Sequence, residues 1–185
     1  MERATRADFA RKKEVRLIRR IEQAEWQFKL AIAVWATVHS GGYRLNYADA
    51  YDDGAHTLTR EEMRLTPDEE EMASNLMLWS TARLLAVQMN AALERISPNH
   101  FGRPREELRT AITIVRLVRN AFAHNPFEPI WDMEPEYRDK VFEVPGIIHL
   151  DTHGTQGAVM VDRHLGGRSA LLRLAQWLRS AYSPP

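Results

Sequence analysis

Three residues whose side chains could act together on a phosphodiester stand within six consecutive positions, as Arg119, Asn120 and His124. A neutral imidazole, with an ordinary pKa of about 6.5, can take a proton from a ribose 2′-hydroxyl near neutral pH. Arginine can hold a phosphate with two hydrogen bonds and stabilise the charge that develops on it. The asparagine amide can orient either group. This set indicates RNA cleavage that requires no metal and no cofactor.

The spacing of apolar residues predicts the helix that positions these side chains. It begins near Pro104 and ends near His124, because Pro126 cannot continue a helix and restricts Asn125. Asn120 and His124 are four residues apart and share a face of such a helix. Arg119 is rotated from His124 by about 140°, and its long side chain can still reach the same surface. The residues predicted to point inward are Leu108, Ile112, Val115, Val118 and Phe122.

The pattern Arg119-Asn120 followed by His124 resembles the motif of the HEPN superfamily. The resemblance implies a helical bundle that forms a homodimer in which two copies of the motif face each other. In active members this composite site is a metal-independent endoribonuclease of toxin–antitoxin, anti-phage or CRISPR systems. Arg119 and His124 would then carry the reaction with support from Asn120, RNA would be the substrate, and a cognate antitoxin or regulatory protein could be a partner.

Two further interpretations of the same residues stay open. Many HEPN domains are non-catalytic and bind RNA, a nucleotide or a protein, and the context of the motif also resembles the mannitol operon repressor family, which is regulatory. Alternatively, Asn120 and His124 cap the helix while Arg119 makes a structural ion pair, since a positive histidine is favourable at a helix C-terminus. The spacing of arginine and histidine alone is weak evidence, because Arg95 and His100 repeat it.

The rest of the chain predicts a mainly α protein, an up-and-down bundle of about four to five helices with a small β-hairpin before the last helix. The resemblance implies that residues 1–185 form a single HEPN-like domain, with a hairpin insertion at about 141–162. Thr66 and Glu69 form a capping box, with Pro67 at the first helical position. The remaining predicted segments are a helix at 8–39, an ordered loop at 43–65, a helix from Thr66 to Ile96, hairpin strands at 141–150 and 158–161, and a helix at 169–182.

Composition restricts the function classes. Acidic and basic residues number 25 each, and only four of the basic residues are lysines, so 21 are arginines, which suit phosphate binding. The absence of cysteine excludes disulfides and thiolate chemistry. The longest apolar run, Leu30 to Val38, is too short to span a bilayer, so we expect a cytoplasmic protein without membrane contact.

Two sets of residues could suggest a metal site. Asp49, Asp52 and Asp53 do not match the spacing of a calcium-binding loop, and we reject that interpretation. His149, Asp151 and His153 alternate along a predicted strand and would share a face, but a further ligand is not evident. We therefore assign no metal ligand.

Overall fold

The computed structural model describes residues 6–40, 45–96, 105–123 and 125–182. Within them the chain is mainly helical, with a two-stranded hairpin before the last helix, which confirms the predicted fold class. The described elements are α1 (Arg6–His39), β1 (Ala50–Asp52), β2 (Thr57–Thr59), α2 (Arg60–Met63), α3 (Pro67–Ile96), α4 (Glu106–Ala121), β3 (Val141–Val144), β4 (Ile148–Asp151) and α5 (Ala170–Tyr182).

The two longest helices, α1 and α3, lie antiparallel. Trp35 Nε1 donates to Asn75 Oδ1 at 2.9 Å, and the His39 ring lies 3.6 Å from the Glu71 carboxylate one turn further along. Residue numbers that rise on one helix therefore fall on the other. Apolar residues of both helices meet between them, which is the normal way for an amphipathic helix to bury its apolar stripe.

The start of α3 has the predicted capping box. The Glu69 amide donates to Thr66 Oγ1 at 3.4 Å, and the Glu69 carboxylate accepts from the Thr66 amide at 2.8 Å. Two backbone donors at the helix start are thereby satisfied, a contribution of about 0.5–2 kcal/mol. This local pattern is why the helix start could be located from sequence.

Helix α4 crosses the core and is the element that carries the motif. Val115, Val118 and Phe122 are buried as predicted, while Leu108 and Ile112 pack against the core from its edge. Phe122 also contacts Trp79 of α3, with ring centroids 6.1 Å apart. Each fully buried side chain of this size contributes about 1.5–3 kcal/mol to folding. The end of α4 is consequently a well-packed part of the molecule.

The prediction of an ordered loop over 43–65 is wrong from Ala50 onward, where two strands and a short helix form. Strands β1 and β2 pair antiparallel, and Thr59 then caps the short helix α2 through a capping box with Glu62. Both strands are exposed along their whole length, so they lack the alternation of apolar and polar residues that would predict them from sequence. Asp52 and Asp53 accept backbone N–H groups of the intervening turn, which gives these carboxylates a structural role.

The predicted hairpin before α5 exists, but its second strand was assigned to the wrong residues. Val141–Val144 pairs with Ile148–Asp151, not with residues 158–161. The tight turn is at Pro145-Gly146, where Gly146 has a φ of +71° that glycine adopts without steric cost. Residues 153–157 form a separate turn instead. Val159 makes only an isolated bridge to Ile130.

None of the helices in the described ranges combines the length and apolar character that crossing a bilayer would demand.

Candidate functional site

Helix α4 ends at Ala121, three residues before the predicted end near His124. The Ala123 amide donates to the Asn120 carbonyl oxygen at 2.9 Å, which tightens the last turn. Beyond it, the Asn125 carboxamide accepts the Phe127 amide at 3.0 Å and turns the chain away from the helix. The end is fixed from outside as well, because the Ile130 amide donates to the Ala121 carbonyl oxygen at 3.1 Å.

His124 lies outside the described residues. The prediction that Asn120 and His124 share a helical face needs helix up to His124, and α4 stops short of it. The shared face of the two residues therefore stays a prediction.

Arg119 and Asn120 contact each other directly at the end of α4. Arg119 Nη1 donates to Asn120 Oδ1 at 2.9 Å. Arg119 is exposed and Asn120 is half-buried. Because the acceptor is a neutral amide, the guanidinium keeps its full positive charge while its position is restricted. A cation is also favourable at this end of a helix. This exposed charge is suited to binding an anion.

A cavity of about 450 Å³ opens beside Asn120, between α4 and the segment that follows it. Such a volume lies in the range of about 300–1,000 Å³ typical of small-molecule sites. Its floor is apolar, because Leu117 and Met133 are both buried. Arg119 is not among the described residues that line it. The described lining residues are Arg116, Leu117, Asn120, Ala123, Asp132, Met133, Glu134, Tyr137 and Arg138.

The polar side of this cavity has charges of both signs. Arg116 Nη2 donates to Glu134 Oε1 at 2.8 Å, and the Arg116 guanidinium lies 5.4 Å from the centroid of the Tyr137 ring. Arg138 Nε donates to the Met133 carbonyl oxygen at 2.9 Å. The pKa of Tyr137 is raised, first by its hydrogen bond to the Glu136 carboxylate and then by burial. Tyr137 is therefore a neutral aromatic wall.

The far wall of the cavity is held by contacts distant in sequence. Trp131 is fully buried and its Nε1 donates to His164 Nδ1 at 2.9 Å. Burial lowers the pKa of His164, and an Nδ1 that accepts a hydrogen bond belongs to a neutral ring. The Gln156 carboxamide oxygen accepts the Met133 amide at 2.9 Å. His164 thus positions Trp131 through this hydrogen bond.

The histidines of the hairpin do not assemble a metal site in the part of the chain that the structure describes. His149 and Asp151 do share the exposed face of β4, as predicted. However, His153 pairs with Asp151 at 2.7 Å, while His149 lies 3.9 Å from Glu143. The pKa of Asp151 is lowered by hydrogen bonds from His153. No group of three potential ligands converges among these residues.

Five polar lining residues of the cavity were missed from sequence, namely Arg116, Asp132, Glu134, Tyr137 and Arg138. Arg116 stands one helical turn before Asn120, so the spacing itself could have indicated it. Glu134, Tyr137 and Arg138 belong to or flank the short 3-10 helix Pro135–Tyr137, and no local pattern shows that this segment returns to α4.

Comparisons of the chain with protein-family models, with curated proteins and with solved structures find no match.

Proposed function

We propose that this protein is a metal-independent endoribonuclease of the HEPN type. The observation that carries the proposal is the exposed Arg119 guanidinium, held by Asn120 beside a cavity at the end of α4. The described part of the motif that resembles the HEPN superfamily, Arg119 and Asn120, thereby lies at a surface with room for a ligand. Ala123, the residue before His124, lines the same cavity.

The proposed reaction is attack of a ribose 2′-hydroxyl on the adjacent phosphorus. The His124 imidazole takes the hydroxyl proton, the O2′–P bond forms, and the bond from phosphorus to the 5′-oxygen breaks. The leaving oxygen takes a proton from an imidazolium, so that the products carry a 2′,3′-cyclic phosphate and a 5′-hydroxyl. Arg119 stabilises the charge that accumulates on the phosphoryl oxygens, and Asn120 positions Arg119.

The proposal includes a homodimer, because the resemblance implies a site shared by two copies of the motif. A homodimer would place a second Arg119 and His124 across the cleft. Light scattering coupled to size exclusion measures the mass directly. A chain that cuts RNA as a monomer would refute the composite site while leaving the chemistry of the motif in place.

The decisive experiment is RNA cleavage in EDTA with analysis of the product ends. The wild type should produce 2′,3′-cyclic phosphates, and His124→Ala and Arg119→Ala should lose the activity. Matched controls are His56→Ala in the β1–β2 turn and Arg95→Ala in the last turn of α3, which should cut RNA like the wild type. Cleavage that survives both motif substitutions would refute the proposal.

One observation favours a second candidate, a non-catalytic HEPN-like module that binds RNA, a nucleotide or a regulatory protein such as an antitoxin. Asp132 and Glu134 line the cavity together with Arg116 and Arg138, so the cavity is not a purely cationic phosphate site. This candidate predicts binding without turnover. The affinity for RNA would decrease as the salt concentration rises, whereas the affinity for a protein partner need not show this salt dependence.

A further inference from the structure

We infer that the cavity beside Asn120 binds a guanine base of the RNA, next to the phosphate that Arg119 contacts; this inference rests on the proposed function for its ligand class. Two requirements lead to it. The ligand must fit walls that are partly apolar and partly charged. It must also belong to the same nucleotide as the phosphate that contacts Arg119, because Arg119 and the cavity lie on either side of Asn120.

The charges that line the cavity argue against a phosphate inside it. Arg116 and Arg138 contribute two positive charges, and Asp132 and Glu134 contribute two negative charges, so the formal sum is zero. The Arg116 charge is moreover engaged by Glu134 at 2.8 Å. Arg119, by contrast, is exposed and contacts a neutral amide. The phosphate therefore belongs at Arg119, and the cavity is left for an uncharged part of the nucleotide.

The shape and chemistry of the walls fit a flat heteroaromatic ring. Leu117 and Met133 form an apolar floor, and Tyr137, with the Arg116 guanidinium over its ring at 5.4 Å, forms an aromatic side. All four bases can stack on aromatic side chains and on guanidinium planes. A base would thus gain stacking from Tyr137 and Arg116 while its edges meet the polar groups.

The polar groups favour guanine among the four bases. Guanine offers O6 and N7 as neighbouring acceptors, which arginine contacts with two hydrogen bonds, and it offers N1–H and N2–H groups as donors. Arg138 lines the cavity and is held by the Met133 carbonyl oxygen through Nε, and we assign its two Nη atoms as the donors to O6 and N7. The Glu134 carboxylate, which only accepts, matches the N–H edge. Adenine has an amino group in place of O6, and pyrimidines lack N7.

Calorimetric titration of the full-length chain with GMP, AMP, CMP and UMP tests the inference. GMP should bind about 5- to 150-fold more tightly than the others, the discrimination of one good bidentate contact. Glu134→Gln keeps an acceptor for Arg116 but introduces an amide donor toward the guanine N–H groups. It should therefore reduce the affinity for GMP and reduce the preference for GMP over the other three mononucleotides. Glu128→Gln is the matched control, since Glu128 is an exposed carboxylate of the same connecting segment.

A second pair of variants distinguishes the contribution of base stacking from the preference for guanine. Tyr137→Leu should weaken all four mononucleotides by a similar factor, whereas Tyr51→Leu, at an exposed tyrosine of β1, should change none of them. Thermal unfolding of each variant checks that the fold is kept. Equal affinity for the four mononucleotides, no binding of GMP, or equal effects of Glu134→Gln and Glu128→Gln would overturn the inference.

Cleavage data distinguish this inference from the proposed function. RNA that is cut with no preference for guanine beside the cut would overturn the guanine site and leave the nuclease intact. Guanine-selective binding by a chain that never cuts RNA would support the site and refute the nuclease.

Discussion

Arg119 and Arg179 are the same residue type near the ends of two helices, and their surroundings differ in a way that separates function from stability. Arg179 of α5 donates to two carboxylates of α1, to Glu25 through Nε at 3.0 Å and to Glu22 through Nη1 at 2.9 Å. Arg119 of α4 is exposed, and its described hydrogen bond goes to the neutral amide of Asn120. The positive charge of Arg179 is balanced by two carboxylates, whereas the described contact of Arg119 leaves its charge unbalanced.

The difference follows from what each arginine has beside it. The Glu25 side chain has no exposed surface, so its charge could not be accommodated without a cationic partner. Arg179 therefore stabilises the contact between the first and the last helix. The described partner of Arg119 needs no charge compensation, so none of its contacts within the described residues requires it to be an arginine. An arginine with that freedom is the better candidate for a ligand contact.

The sharpest test of this comparison, with the largest expected effect, is Arg119→Ala. Loss of one donor to the developing phosphoryl charge should lower the rate of RNA cleavage about 100- to 1,000-fold. The free energy of unfolding should stay within about 0.5 kcal/mol of the wild type, as for other surface substitutions. Single-turnover kinetics and urea unfolding measure the two quantities. A clear loss of stability would show that Arg119 is structural after all.

The reverse pattern is expected for Arg179→Met. Among the described cations the buried Glu25 carboxylate would keep Lys29 at 3.9 Å, and we expect a cost on the order of 2–3 kcal/mol, discounted because Arg179 is about one third exposed. Cleavage per folded molecule should not change. Arg173→Met, at an exposed position of the same helix, is the control and should be close to neutral. Equal unfolding curves for the two variants would refute the structural role of Arg179.

The comparison also explains what could be predicted from the sequence. The limits of α3 and α5 follow from local signals, namely the capping box at Thr66 and the apolar stripe of the last helix. The start of the hairpin at Val141 was also found from a local signal, namely its β-branched and aliphatic residues. Its turn was missed because two glycine-containing stretches compete, and the Pro145-Gly146 dipeptide is the one that closes the hairpin.

The candidate site was predictable only as far as a single helix reaches. Arg119 and Asn120 stand in one turn, so their proximity is a matter of spacing. The cavity depends on contacts such as Ile130 with Ala121 and Trp131 with His164, which join positions that no periodicity relates. That the described hydrogen bond of Arg119 goes to an amide and not to a carboxylate likewise could not be predicted from the sequence.

Asn120→Asp converts the surroundings of Arg119 into those of Arg179 and so tests the comparison directly. The new carboxylate would neutralise the guanidinium and repel a phosphate, and we expect about a tenfold loss of RNA cleavage. Asn120→Ala removes the acceptor without adding charge and should have a smaller effect. If Asn120→Asp were as active as the wild type, the neutrality of the partner would have no functional meaning.

The smallest expected effect is a pH dependence that arises at the other arginine. Burial raises the pKa of Glu25 above its ordinary value of 4.5, and the Arg179 and Lys29 charges only partly oppose this. A carboxyl that holds its proton more tightly when folded contributes stability below its ordinary pKa, and this contribution is lost as the pH rises through the raised native pKa. The unfolding free energy of the wild type relative to Glu25→Gln should therefore decrease as the pH is raised from 4.5.

Glu62→Gln provides the control with the opposite sign. Hydrogen bonds from the Thr59 amide and hydroxyl lower the pKa of Glu62, so its contribution is present above the ordinary pKa and disappears as the pH falls through the lowered native pKa. Urea unfolding of the three proteins at pH values below and above 4.5 measures both slopes. Because Glu25 and Glu62 differ in burial and share a residue type, slopes of the same sign would mean that burial does not govern the ionisation of Glu25, and the contrast drawn between Arg179 and Arg119 would lose its physical basis.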